Sequence, residues 1–327
     1  MKCTNKQAIA RMLCFVLLLS GLLTGCGKEY SMTYDLDNSV SAYQFYSVGN
    51  ESRATAFAQD LCVVEGDVSV NSVDTSESEA ALLCSVNSQA VLYGKNANMQ
   101  LDPASLTKVM TAIVALKYGN LDDKLTASGN VEITEPGASL IGLKPGDTMT
   151  MSQALHALLM PSGNDAAVMI AEHVAGSEDA FVAMMNEEAK ALGATNCNFM
   201  NPHGLTEENH YVTAYDMYLI FNEAIKYDEF VQIITTPEYS SVYYDASGEP
   251  KDLHFKTTNN FINGNHAVPE GILVIGGKTG TTKAAGNCLV LLSKDSSGNP
   301  YISVVLKSSD REHLYSQMYD LIDLAND

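Results

Sequence analysis

Three short constellations in this 327-residue chain could do chemistry together. In Pro103-Ala104-Ser105-Leu106-Thr107-Lys108 a Ser and a Lys stand three apart, a spacing that sets hydroxyl and amine side by side on a helix. A Ser hydroxyl is a weak nucleophile until a base takes its proton. A Lys is such a base only where burial or a nearby cation keeps it neutral near pH 7. Ser105 is the only Ser followed by Lys at i+3, and it falls at a predicted helix start, where free backbone N–H groups favour a developing oxyanion. The second constellation, Ser162-Gly163-Asn164, follows Pro161 in a predicted loop between helices; its hydroxyl could relay a proton and its amide hold a carbonyl. The third, Lys278-Thr279-Gly280, lies on a predicted strand after Gly276-Gly277, with a cation and a hydroxyl for a carboxylate and room for a ligand backbone. Each alone has a plainer explanation: an N-cap Ser with a solvated Lys, a turn capped by Asn164, an edge strand carrying a solvated Lys.

The elements that must position these groups follow from periodicity. Helical patterns cover Ser105 to Tyr118, Ser152 to Met160, Asp165 to Ala175, Ser177 to Leu192 and Thr213 to Tyr227, several closed by Gly. Apolar runs at Ala81–Val86 and Gln89–Tyr93 predict a hairpin. Further strands are predicted at Glu238–Tyr244, Leu253–Thr258, Gly271–Thr282, Asn287–Ser293 and Tyr301–Lys307, before a last helix carrying Leu314, Met318, Leu321 and Ile322. That order fits a mixed α/β (α+β) fold, an antiparallel sheet flanked by helices, with a mostly helical subdomain inserted at about 119–235.

The three constellations in this order resemble the Ser-x-x-Lys, Ser-x-Asn and Lys-Thr-Gly set of the penicillin-binding proteins and serine β-lactamases. With Gly142-Leu143-Lys144-Pro145-Gly146 and Asn201-Pro202-His203-Gly204-Leu205, the likeness is to the serine-type D-alanyl-D-alanine carboxypeptidases, low-molecular-mass penicillin-binding proteins, over about Ala80 to Ala325. The resemblance implies Ser105 as acylated nucleophile, Lys108 as general base and Ser162 as proton relay. It implies Asn164, Lys278, Thr279, Gly280, Thr281 and Arg311 as substrate-binding residues, with the N–H groups of Ser105 and Thr281 as oxyanion hole. The implied partners are peptidoglycan stem peptides ending in D-Ala-D-Ala and, as covalent inhibitors, β-lactams; no cofactor or metal is implied. Thr281 stands where some members have His. No counterpart of the β-rich C-terminal domain of many members is expected after the last helix.

Two other functions compete. A class A β-lactamase needs a Glu with a placed water, yet the stretch from Asn196 to Leu205 holds no Glu-x-x-Asn. A binding module that kept the fold and lost hydrolysis would not be expected to retain every motif residue. His203 and His210 lack any zinc-peptidase spacing, and His203 is expected to fix the loop before the Thr213 helix. There is no Gly-x-Ser-x-Gly elbow.

Composition narrows the setting. Lys+Arg 19 against Asp+Glu 39 gives a formal charge of −20, which excludes a basic nucleic-acid-binding surface of ordinary kind. Lys2, Lys6 and Arg11 followed by an apolar run from Met12 to Leu23 predict a signal peptide over 1–25. Leu23-Thr24-Gly25-Cys26 resembles a bacterial lipobox, implying an exported protein, lipid-anchored to the membrane at Cys26 and processed to a charge of −23 by loss of those three cations. Residues 26–79 are expected to be a stalk with a possible short strand at 61–64, and 80–327 the catalytic domain. Of the remaining cysteines, Cys62, Cys84, Cys197 and Cys288, most are expected as free buried thiols.

Overall fold

The computed structural model describes residues 61–64 and 66–326; the signal sequence and Cys26 lie outside them. Strands β1 (Ser78–Ser85), β2 (Ala90–Lys95), β7 (Leu273–Thr282), β8 (Gly286–Lys294) and β9 (Pro300–Ser308) form one antiparallel sheet in the order β2-β1-β9-β8-β7. Alternate residues of a strand face opposite ways, and here both faces are covered. On β1, Leu82 and Cys84 join a core with α1 (Thr107–Tyr118) and α5 (Ala214–Ala224), whereas Ala81 and Leu83 pack with Leu314, Met318 and Leu321 of the C-terminal α7 (Arg311–Asp323). Burial on both sides explains why these strands read as unbroken apolar runs.

Helices α2 (Met151–Leu159), α3 (Asn164–Ala175), α4 (Glu178–Ala191) and α6 (Asp228–Thr235) complete the set, and α2, α3, α4 and α5 pack around α1. Every residue from Thr107 to Ala115 is buried. A helix buried on all sides is a core helix, so α1 fixes Lys108 in the interior and anchors the turn that holds Ser105.

Several elements differ from the sequence expectation. The helix expected from Thr213 to Tyr227 is present as α5, but before the strands the chain makes a further helix, α6, whose Phe230, Ile233 and Ile234 bury one face. That pattern spans barely two turns, too short to stand out by periodicity. The hairpin β5 (Glu238–Tyr244) and β6 (Pro250–Lys256) joins a separate four-stranded sheet with the short β3 (Lys124–Thr126) and β4 (Thr148–Thr150), in the order β3-β4-β5-β6. Packing also begins before Ala80. Residues 61–64 form no strand, but Cys62 is fully buried: its N–H donates to the Tyr218 hydroxyl at 3.0 Å and its carbonyl accepts from Tyr215 at 2.8 Å. Val68 then bridges to Gly94 of β2. The segment 61–79, read as stalk, therefore packs on the domain where described. All four cysteines of the described region are free, three of them buried.

Edge strand β7 approaches its neighbours closely. A Cβ at Gly277 would stand 2.0 Å from the Val290 carbonyl oxygen, and one at Gly276 2.4 Å from that of Ile234. Gly277→Ala is expected to cost about 3 kcal/mol, seen as a fall in Tm of roughly 6–12 °C; an unchanged Tm would show that the sheet yields there without penalty.

Candidate active site

Ser105 lies in a 3-10 turn, Ala104–Leu106, that leads directly into α1. The turn holds Ala104 at φ 46°, an unusual value for a residue with a Cβ. The opposing backbone supports it: at Gly204 (φ 85°) any Cβ would fall 1.9 Å from the Ala104 carbonyl oxygen, so only Gly fits. The strained turn and the Asn201-Pro202-His203-Gly204 loop thus interlock. Thr107 Oγ1 donates to the Ala104 carbonyl at 2.8 Å and lies 3.0 Å from His210 Nε2, while Thr111 Oγ1 donates to the Pro202 carbonyl at 2.6 Å.

Lys108 is wholly buried. Its Nζ donates to Asn164 Oδ1 at 2.7 Å and to the His203 carbonyl at 2.6 Å, and lies 2.9 Å from Ser105 Oγ. Burial first, and then the Lys278 cation, hold the amine well below the usual lysine range, against a smaller opposing pull from Asp165. A neutral amine has two N–H groups and one lone pair. The two shorter bonds take the N–H groups, leaving the lone pair to accept the Ser105 proton.

Asn164 is the first residue of α3, and Gly163 is the residue before it with no side-chain cap. The amide therefore does not cap a helix but reaches Lys108. Its backbone N–H donates to the Ser139 carbonyl at 2.8 Å, and Ser139 Oγ donates to the Pro161 carbonyl at 2.7 Å. The adjacent Asp165 carboxylate accepts N–H bonds from Ile141, Gly142 and Leu143 at 3.1, 2.8 and 3.1 Å, tying the loop before α2 to the start of α3. Ser162 sits at φ 68°, a left-handed conformation that aims its hydroxyl at Lys278 Nζ, 3.0 Å away.

Lys278 is 1% exposed although β7 is an edge strand, and burial lowers it to about 7. Its Nζ also donates to the Thr279 carbonyl at 2.9 Å. Thr279 Oγ1 lies 2.6 Å from Thr258 Oγ1, and the Thr258 carbonyl accepts from Arg311 Nη2 at 2.8 Å. Arg311 further donates to Asn260 Oδ1 at 3.2 Å and covers the Tyr315 ring at 5.9 Å. A Cβ on Gly280 would stand 3.0 Å from the Ser105 nitrogen, so β7 runs against the Ser105 amide and brings Thr281 to the same point. Thr281 is exposed, and its hydroxyl donates to Asn287 at 3.2 Å. Every residue of the three constellations, with Arg311, is thus gathered around Ser105.

Ser105 lies between two hollows. One, of about 170 Å³, is lined by Ser162, Thr258, Thr279, Thr281 and Arg311; the other, of about 320 Å³, by Glu135, Asn164, His203, Thr206 and Lys283. Sequence reasoning missed Thr258, Ser139, Glu135 and Lys283, which have no motif and become relevant only through folding. His203 does brace its loop: its Nδ1 accepts from the Leu205 N–H at 3.2 Å. Burial, with Lys108 second, lowers His203 to about 3, so its 4.0 Å approach to Glu178 is not an ion pair at neutral pH.

A Ser–Lys pair at the start of a core helix, beside the edge of an antiparallel sheet layered between helices, defines the class of the penicillin-binding-protein fold. Comparison agrees in detail. Residues 67–310 match the peptidase S11 family model, described as D-alanyl-D-alanine carboxypeptidase. A D-alanyl-D-alanine carboxypeptidase of Bacillus subtilis is 37% identical over 76% of this chain and 62% of its own length; one from Escherichia coli K12 is 34% identical over 72% and 57%. The crystal structure of the Streptomyces K15 DD-transpeptidase superposes with a TM-score of 0.71 at 27% identity, over 76% of this chain and 97% of that one. The chain belongs to the S11 family, and its match spans about three fifths of the length of those two carboxypeptidases.

The two lysines make a pH prediction. Below its pKa Lys108 is an ammonium and cannot take the Ser105 proton, so acylation switches on as pH rises through that value. Lys278→Gln removes the cation that helps depress Lys108, so the acid limb should move to higher pH by roughly one unit. The pH dependence of acylation by labelled penicillin measures it; a limb that stays put or moves to lower pH contradicts the coupling.

Proposed function

We propose that this protein is a serine D-alanyl-D-alanine carboxypeptidase that removes the terminal D-Ala from peptidoglycan stem peptides. The observation that carries the reading is the buried Lys108, whose hydrogen bonds to Asn164 and His203 leave its lone pair for Ser105. In acylation Ser105 Oγ attacks the carbonyl between the two D-Ala residues while Lys108 takes its proton. The oxyanion forms beside the N–H groups of Ser105 and Thr281, the former in the 3-10 turn that opens α1. Ser162 gives its proton to the departing amine and is reprotonated by Lys278 at 3.0 Å; in deacylation the attacking water returns a proton along Ser162 to Lys278, and Lys108 hands its proton back to Ser105. Thr279 and Arg311 line the 170 Å³ hollow and suit the carboxylate of the leaving D-Ala. Water then cleaves the Ser105 ester. A β-lactam amide would enter the same path and stop at a long-lived ester.

A β-lactamase reading finds less support. The stretch 196–205 offers no carboxylate, and Asp165, buried near Lys108, already accepts N–H bonds on both oxygens. The setting belongs to the same proposal: an exported protein, held at the outer face of the membrane by lipid on Cys26. An acidic chain would not be held there by charge, because the bilayer surface is anionic too.

Purified wild type should release D-Ala from a stem pentapeptide and bind labelled penicillin in a slowly hydrolysed adduct, and Ser105→Ala should do neither. Equal labelling of the two proteins would remove Ser105 from the mechanism, and fast penicillin turnover would favour the β-lactamase. In cells fed labelled palmitate, wild type should carry label and Cys26→Ser should not; label retained in the variant would refute the anchor.

A further inference from the structure

The 320 Å³ hollow on the far side of Ser105 from Arg311 holds two charges that catalysis does not use. Glu135 lines it from the loop before β4 and Lys283 from the turn after β7, both exposed, and neither enters an ion pair among the described residues. Their backbones are fixed. Glu135 opens a tight turn with Pro136 and Gly137 at its centre: Gly137 takes φ 84° and the Ala138 N–H donates to the Glu135 carbonyl at 3.1 Å. Pro then Gly at these positions is the pattern of a type II turn, one of the stiffer ways to present a side chain. Lys283 opens the turn that joins β7 to β8; the Ala285 N–H donates to Thr282 Oγ1 at 3.0 Å, and Thr282 Oγ1 meets Thr206 Oγ1 at 3.3 Å across the hollow.

The hollow shares Ser105 and Asn164 with the catalytic site. If the leaving D-Ala occupies the Arg311 side, the acyl half of the substrate occupies this one, and the residue before the acyl D-Ala reaches the segments that carry Glu135 and Lys283. We infer that Glu135 and Lys283 form a subsite for a zwitterionic side-chain end, Glu135 taking a free ammonium and Lys283 a carboxylate beside it. This inference rests on the carboxypeptidase reading and narrows its substrate to stem peptides whose penultimate acyl residue is a diamino diacid with its distal end unmodified. A strand already cross-linked through that amine has lost the cation that Glu135 binds, so the subsite favours free stems over cross-linked ones. Within a chain of charge −20, a carboxylate in the cleft also draws an ammonium with the global field, while Lys283 offsets that field locally for the paired carboxylate.

The test compares three pentapeptides ending in D-Ala-D-Ala that differ at the third residue: a diamino diacid, its N-acetylated form, and lysine. In wild type, kcat/KM for D-Ala release should be about three- to tenfold higher for the free diamino diacid than for the acetylated peptide, the range of a partly exposed charge contact. Glu135→Gln should collapse that ratio towards one. Lys283→Gln should instead erase the advantage of the diamino diacid over lysine while leaving the preference for a free amine. Both side chains are exposed and make no side-chain hydrogen bond among the described residues, and Glu135→Asp, which keeps the charge, should retain part of the preference. A wild type indifferent to the side-chain end, or variants that lower all three peptides in parallel, would overturn the subsite. Release from none of the three peptides by a wild type that still binds penicillin would count against the carboxypeptidase reading itself.

Discussion

The site depends on keeping one amine uncharged inside the protein. A buried ammonium without a partner is expensive, and Lys108 has no carboxylate bonded to it, only carbonyl-type acceptors and a hydroxyl. The fold removes water from the amine and sets Lys278 nearby, and both effects favour the neutral form. Neutrality is what the proposed role of Lys108 as a base requires. The same lack of solvent strengthens the hydrogen bonds that orient it, so pKa and geometry arise from one arrangement.

Much of the architecture can be read as the support for that arrangement. The core helix α1 carries Lys108 and the 3-10 turn leading into it carries Ser105, while α3 brings Asn164 and the loop at His203 supplies a carbonyl. Glycine is required at Gly204 against Ala104, and Gly280 lets β7 lie close against the Ser105 amide. Two non-Gly residues, Ala104 and Ser162, keep left-handed conformations beside the nucleophile. Such strain persists only where the surroundings over-determine it, and here the interlocked turn, the Asp165 hydrogen bonds and the β7 edge do so.

The sequence revealed the site better than the fold around it. Ser105, Lys108, Ser162, Asn164 and Lys278 were legible because each needs a fixed residue type at a fixed spacing, and Arg311 because a family pattern places it. Burial decided what spacing could not: Lys108 and Lys278 looked like surface lysines until the fold enclosed them. Strands buried on both faces were equally plain, whereas α6 was hidden by its brevity and β3 and β4 by having three residues each. The packing of 61–79 was obscured by its polar composition; it rests on Cys62 and on hydroxyls of Tyr215 and Tyr218 more than 150 residues away. Thr258 and Glu135 carry no signal at all in one dimension, since their significance lies in what folding brings to face them.

The protonation state of Lys108 can be measured directly. Lysine labelled with 13C at Cε gives an NMR shift that follows the charge on Nζ, and Lys108→Met assigns the signal. Titration of the wild-type protein should show Lys108 losing its charge with a midpoint well below the ordinary lysine range. A Lys108 that remains an ammonium to pH 9 or above would contradict its role as the base that activates Ser105.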